Sequence, residues 1–158
     1  YRKFTVTPKS GTPPEYWGIN NTGNLTQDKT SIFNAISKEQ IQAAESSMNN
    51  TTITDRKTNL LGKLVLYKTS EGNYGIMHVT AVDNTGAGYI RIDYKTFNSD
   101  GSIKKSENNR KVNGTYSFDL DKGIDSGGDF DFWLENLNST DAGRLFKPAN
   151  GAKFYVLP

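Results

Sequence analysis

The stretch YIRIDYKTF, residues Tyr89–Phe97, decides the fold. Apolar and charged side chains alternate along it, in the order Ile90, Arg91, Ile92, Asp93, Tyr94 and Lys95. Because successive side chains of a strand point to opposite faces, this period of two predicts a strand with one buried face. Turn-forming residues flank it at 83–86 and 98–101, which predicts antiparallel pairing with the strands on either side.

The same period extends outward from residue 62 to the end of the chain. Further strands are predicted at residues 63–69, 74–82, 116–120, 130–134 and 153–157, and the polar residues 104–111 are typical of an exposed edge or loop. A parallel sheet would need helices between these strands, and no helical pattern separates them. The sequence therefore predicts a mainly β fold, an antiparallel β-sandwich or small barrel.

One short helix is predicted before the strands, at about residues 38–48. Ser37 and Gln40 have the spacing of a capping box, and Ile36 and Ile41 have that of a hydrophobic staple. The apolar positions that follow form one narrow stripe, made of Ile41, Ala44 and Met48. We expect this amphipathic helix to lie on the β region.

The length of 158 residues is that of one ordinary domain, so residues 1–158 are predicted to form a single unit. Residues 1–30 are interrupted by proline and glycine and are expected to be extended and loop-rich, with a strand around residues 4–7. Residues 31–50 form the helical segment, and residues 62–158 the antiparallel β region.

Composition removes several classes of function. The net charge of +2 is too small to attract nucleic acid, and the absence of cysteine excludes disulfides, thiolate metal sites and cysteine nucleophiles. No apolar run is long enough for a membrane-spanning helix, so membrane insertion is not expected. The chain begins with Tyr1 rather than Met, which we interpret as a removed or trimmed leader. These features are typical of small secreted bacterial β domains, and an extracellular or cell-surface location is predicted.

A run of acidic residues provides a candidate metal site. Five aspartates lie among glycines within thirteen residues, at Asp119, Asp121, Asp125, Asp129 and Asp131. Ca²⁺ accepts several hard oxygen ligands in loose geometry, so Asp119, Asp121 and Asp125 are its predicted ligands, although their spacing is not that of an EF-hand. The alternative is that the carboxylates solvate a long loop and cap its turns. No cofactor is required by any motif, and calcium is the one candidate.

The residues that follow give a candidate ligand-binding surface. If residues 130–134 form a strand with Phe130, Phe132 and Leu134 on the core face, the opposite face carries Asp129, Asp131, Trp133 and Glu135. An exposed indole offers an apolar platform to the C–H face of a sugar ring, and carboxylates accept hydrogen bonds from its hydroxyls. The alternative is a tryptophan packed under a neighbouring loop, since this residue is buried on average.

The functional hypothesis is a non-enzymatic secreted or cell-surface binding or adhesion module, with a glycan or a protein surface as its partner. A rival hypothesis is a small glycoside hydrolase, because Asp129 and Asp131 on one strand face would stand about 7 Å apart, within the range used by inverting enzymes. A third is a structural domain of a larger surface protein. Nucleotide-binding glycine motifs and a serine nucleophile elbow are both missing, which favours the binding hypothesis.

Overall fold

The computed structural model describes residues 29–54, 60–83, 85–125, 128–135 and 145–157. The strand predicted around residues 4–7 and most of the loop-rich segment 1–30 lie outside these ranges. Within them, the chain forms two antiparallel five-stranded sheets and a helical layer.

The longer strands form one sheet, called the long sheet here, in the order β10-β2-β3-β4-β5. Its strands are β2 (Leu64–Lys68), β3 (Tyr74–Asp83), β4 (Tyr89–Phe97), β5 (Ile103–Asn113) and β10 (Lys153–Val156). The bounds of β4 match the sequence prediction, and β5 shows that residues 104–111 are an edge strand. Along β4, Ile90, Ile92 and Tyr94 are buried, as the alternation predicts.

Shorter strands form the second sheet, called the short sheet here, in the order β1-β9-β8-β6-β7. Its strands are β1 (Ile53–Thr54), β6 (Ser117–Asp119), β7 (Ile124–Asp125), β8 (Phe132–Leu134) and β9 (Leu145–Pro148). Among the described strands neither sheet closes into a barrel, so a sandwich-like arrangement fits better than the barrel alternative. The strand predicted at residues 130–134 is shorter than expected and begins at Phe132.

Interlocking aromatic rings fill the space between the two sheets. Tyr94 of the long sheet meets Phe118 of the short sheet edge to face, with ring centroids 5.7 Å apart. Phe132 stacks on Phe146 at 4.2 Å, and Phe154 of the long sheet packs edge to face on Phe146 at 4.7 Å. Aromatic rings bury more apolar surface than other side chains, so these contacts make the inter-sheet core a major source of stability.

A second core lies on the opposite face of the long sheet, under the helices. Two helices and a 3₁₀ turn form this layer, at Lys29–Ala35 (α1), Lys38–Ala43 (α2) and Glu45–Ser47. Its buried residues include Ile32, Ile41, Leu64, Leu66 and Ile76. β2 is therefore covered on both faces, which explains why its sequence is almost continuously apolar.

The predicted helix start is confirmed, but the helix is shorter than predicted. Ser37 accepts a hydrogen bond from the backbone of Gln40, and the Gln40 side chain accepts one from the backbone of Ser37. After Ala43 the chain tightens into the 3₁₀ turn, so the single helix predicted at 38–48 is divided. Ala44 and Met48 are still buried, because the turn keeps the apolar stripe against the sheet. None of the described helices has both the length and the apolar character needed to cross a membrane.

Candidate functional site

Trp133 presents an aromatic ring at the outer face of the short sheet. It is the middle residue of β8, between the buried Phe132 and Leu134, and is 38% exposed. In the sheet register it lies opposite Ser117 of β6 on one side and Lys147 of β9 on the other. Phe132 and Leu134 lie inside and the indole outside, as predicted, but Phe130, predicted on the core face, precedes the strand and is only partly buried.

Lys147 and Glu135 fix one side of this indole. The Lys147 ammonium lies 4.9 Å from the Trp133 ring centroid, within the range of a cation–π interaction. The same ammonium donates a hydrogen bond to the carboxylate of Glu135. On the other side the cross-strand neighbour is Ser117, which has a small side chain. The result is a partly exposed indole beside a paired cation and anion.

The prediction that Asp131 shares this exposed face is wrong. Asp131 is 0% exposed, because β8 begins one residue later and residue 131 lies in a bend that turns the side chain inward. Its Oδ1 accepts a hydrogen bond of 2.6 Å from the backbone of Ser70, and its Oδ2 accepts one of 2.7 Å from the backbone of Leu120. Asp129 is exposed but precedes β8, so the two carboxylates do not flank a common open site.

Burial raises the pKa of Asp131 to about 6. The two backbone N–H groups oppose this shift, because they stabilise the ionised carboxylate, and the neighbouring charge of Asp121 adds to it. The pKa of Asp121 is also raised, again mainly by burial. The two carboxyl groups therefore lie in an environment that disfavours two unbalanced negative charges.

Asp119 and Asp121 join Asp131 in one buried group, called the three-aspartate cluster here. One carboxylate oxygen from each residue lies within 4.8 Å of the others. Asp119 Oδ1 accepts hydrogen bonds from the backbones of Asp121 and Lys122, at 2.9 and 3.0 Å. Asp121 Oδ1 accepts a hydrogen bond of 2.9 Å from the side-chain amide of Asn73. The donors that orient the cluster thus come from the β2–β3 turn of the long sheet and the β6–β7 turn of the short sheet.

Asp125 lies outside this cluster. It belongs to β7, where its Oδ2 pairs with Arg110 at 3.4 Å, while Arg110 also packs over the ring of Phe118. Of the three calcium ligands predicted from the sequence, the structure brings Asp119 and Asp121 together. The third carboxylate of the cluster is that of Asp131, not that of Asp125.

Three charged side chains lie at the solvent edge of the cluster. Lys122 pairs with Asp119 at 3.2 Å and with Glu71 at 3.3 Å. Lys104 pairs with Glu71 at 3.1 Å and lies 4.0 Å from Asp121 Oδ1. Two ammonium groups and one carboxylate therefore separate the buried aspartates from water and offset part of their charge.

A small cleft of about 210 Å³ opens between α2, the β2–β3 turn and the β4–β5 turn. Tyr74 and Phe97 contribute apolar surface to it, and the polar lining includes Lys38, Gln42, Asn73 and Asn98. Asn73 also donates to the three-aspartate cluster, so one turn contributes to both features.

Sequence reasoning missed three participants in these sites. Ser70 and Asn73 lie between the predicted strands 63–69 and 74–82, and nothing in the local pattern connects them with aspartates 48 and 61 residues further along the chain. Lys147 was not singled out, because β9 is a four-residue strand with no clear period.

Comparison of the chain with protein-family models, with curated proteins and with solved structures found no match.

Proposed function

We propose that this domain is a non-enzymatic, secreted or cell-surface module that binds a glycan through the outer face of the short sheet around Trp133. The observation that carries the proposal is the exposed indole of Trp133 in a strand whose other two residues are completely buried. A short buried strand holds the ring in place, so little conformational entropy is lost when a ligand stacks on it.

The groups around the ring suit a hydroxylated ligand. A sugar ring presents C–H groups that pack on an aromatic face, and its hydroxyls both donate and accept hydrogen bonds. Glu135 supplies an acceptor and Lys147 a donor next to the indole, and their mutual ion pair keeps both groups close to the ring. The small Ser117, opposite Trp133 on the other strand, carries a hydroxyl that can also donate or accept.

The positions of the acidic residues favour binding over hydrolysis. A glycosidase needs two carboxyl groups that face the same bond, one as acid and the other as base or nucleophile. Asp131 is buried, and both of its oxygens accept backbone hydrogen bonds, whereas Asp129 is exposed on the preceding loop. The carboxylate next to the indole is Glu135, and it is paired with Lys147.

The proposal is tested by tryptophan fluorescence. The chain has one other tryptophan, Trp17, so a Trp17→Phe variant makes Trp133 the only fluorescent reporter. Titration with a panel of soluble oligosaccharides, after an array has selected the candidates, is expected to change the Trp133 emission in a saturable way. Trp133→Ala lacks the fluorescent reporter, so its binding is measured by isothermal titration calorimetry. It is expected to bind about tenfold more weakly, which corresponds to the loss of one aromatic stacking contact.

Tyr89→Ala is the matched control. Tyr89 also packs against a cation, with the Lys111 ammonium 4.5 Å from its ring centroid, but it belongs to the long sheet. Its removal is expected to leave glycan binding unchanged. No binding on the array, or equal loss in the two variants, would remove the proposed role of Trp133.

A further inference from the structure

One oxygen of the three-aspartate cluster is buried without a hydrogen-bond partner. The Asp121 side chain is 0% exposed, and no described residue makes a hydrogen bond of regular geometry to its Oδ2. The Thr69 hydroxyl lies close enough to help lower the pKa of this carboxyl, but it does not complete such a bond to Oδ2. A buried carboxylate oxygen normally accepts at least one hydrogen bond or coordinates a cation, because its desolvation is otherwise uncompensated. Asp121 Oδ1, in contrast, is held by Asn73.

The other two carboxylates are held in fixed positions around it. Backbone N–H groups of Ser70 and Leu120 orient Asp131, and those of Asp121 and Lys122 orient Asp119. Metal ligands are typically oriented by such outer hydrogen bonds, which reduce the cost of assembling the site. The cluster is therefore organised before any cation binds.

The charge of the cluster is only partly balanced. Lys122 reaches Asp119 and Lys104 approaches Asp121 Oδ1, but both ammonium groups are also shared with Glu71. Three carboxylates with oxygens within 4.8 Å repel one another unless a proton or a cation lies between them.

We propose that Asp119, Asp121 and Asp131 form a binding site for one divalent cation, with Asp121 Oδ2 as a direct ligand. All three ligands are hard oxygens, and no thiolate or imidazole belongs to the group, so the chemistry is that of Ca²⁺ rather than of zinc or copper. Ca²⁺ accepts such ligands in loose geometry, whereas Mg²⁺ demands a near-ideal octahedron and gives up its waters reluctantly. Lys122 acts as a competing cation that leaves Asp119 when the metal binds.

Calorimetric titration and thermal unfolding test the site, with CaCl₂ added to chelator-treated protein. We expect one ion to bind per chain, the melting temperature to rise at saturating calcium, and excess EDTA to reverse the rise, because a cation bound only by the folded state stabilises it. Magnesium is expected to bind at least about tenfold more weakly.

Two substitutions locate the ion. Asp121→Asn is expected to abolish the calcium response while the metal-free protein stays folded, because the amide removes one of the repelling charges. Lys122→Gln is expected to tighten calcium binding severalfold, because the competing ammonium is gone. Asp129→Asn is the control, since Asp129 is exposed in the same acidic segment and is expected to leave the affinity unchanged.

Three results would overturn the proposal. The first is the absence of binding heat and of any melting shift with Ca²⁺, Mg²⁺ or Mn²⁺ up to about 10 mM, which exceeds the weakest affinities usual for calcium modules. The second is an unchanged calcium response in Asp121→Asn. The third is a Lys122→Gln variant that binds calcium more weakly than the unsubstituted protein.

Discussion

The backbone N–H of Ser70 donates a hydrogen bond of 2.6 Å to Asp131 Oδ1, although the two residues are 61 positions apart in the chain. Ser70 lies in the turn between β2 and β3 of the long sheet, and Asp131 directly precedes β8 of the short sheet. The second carboxylate oxygen of Asp131 accepts a hydrogen bond from the backbone N–H of Leu120, which follows β6. One buried side chain therefore ties a turn of the long sheet to two segments of the short sheet.

We expect Asp131→Ala to lower the free energy of unfolding by about 2 kcal/mol, because it leaves the N–H groups of Ser70 and Leu120 without their acceptor. Urea unfolding in buffer with EDTA measures this effect apart from any bound cation. Asp129→Ala, at an exposed position, is the control and should change stability by less than about 0.5 kcal/mol. Equal stability of the two variants would contradict the structural role of Asp131.

Gly75→Ala tests the close contact between β2 and β3. Gly75 lies opposite Tyr67, and an added Cβ would come within 2.2 Å of the Tyr67 ring. That ring is completely buried and its hydroxyl is hydrogen-bonded to the hydroxyl of Thr96, so the ring has little freedom to move. We expect a loss of about 3 kcal/mol in chemical unfolding. Gly128→Ala should be nearly neutral, because no atom of the described residues other than its chain neighbours lies within 4 Å of the new methyl. A similar cost at both sites would be inconsistent with this packing.

Glu45 should make the stability depend on pH in the acid range. Hydrogen bonds from Lys68 and Tyr74 lower the pKa of Glu45 below its ordinary value of 4.5. The folded state therefore favours the ionised carboxylate: the stabilisation is complete above the unfolded-state pKa and is lost as the pH falls through the folded-state value. We expect Glu45→Gln to lower stability at pH 7 by less than about 1 kcal/mol, since the pair is partly exposed, and to have a smaller effect near pH 3.

Urea midpoints at pH 7 and pH 3 measure this dependence. Glu39→Gln is the matched control, because Glu39 is exposed on α2 and its closest recorded ion pair, with Lys38, is 3.7 Å long. If Glu45→Gln lowers the stability equally at both pH values, ionisation of Glu45 does not contribute to the stability.

Ser37→Ala should destabilise the helical layer by about 1 kcal/mol, because it removes the hydroxyl that caps α2. Ser37→Asp keeps an acceptor for the backbone of Gln40 and should retain most of the stability. Thermal unfolding followed by circular dichroism compares the two variants. Ser46→Ala, at an exposed position of the neighbouring 3₁₀ turn, should be neutral, and an equally small effect at Ser37 would mean that the capping box contributes little.

β4 could be predicted from the sequence because its period of two is visible over nine residues, whereas the eleven-residue β5 has no such period and was predicted only as an exposed edge or loop. β4 has the predicted bounds, and the edge position of β5 agrees with its polar composition. The two-residue strands β1 and β7 were missed, because two residues cannot show a period. The four-residue β9 ends in proline, which argues against a strand when the sequence is considered alone.

Of the candidate site, the sequence predicted the exposed indole but not its surroundings. Wherever the strand begins, alternation places Trp133 on the other face of the strand from Phe132 and Leu134. Its exposure therefore depended only on which of the two faces packs against the core. Asp131 was misplaced because the strand starts at Phe132, two residues later than predicted, and a residue outside the strand need not follow its alternation.

The sequence by itself determined that this protein is mainly antiparallel β with a capped helix before the strands, since alternation and capping are properties of neighbouring residues. Only the tertiary structure decided which carboxylates meet, which of them is buried and that Lys147 lies against the indole. Those relationships depend on the packing of two sheets and on hydrogen bonds between turns far apart in the chain, about which local patterns carry no information.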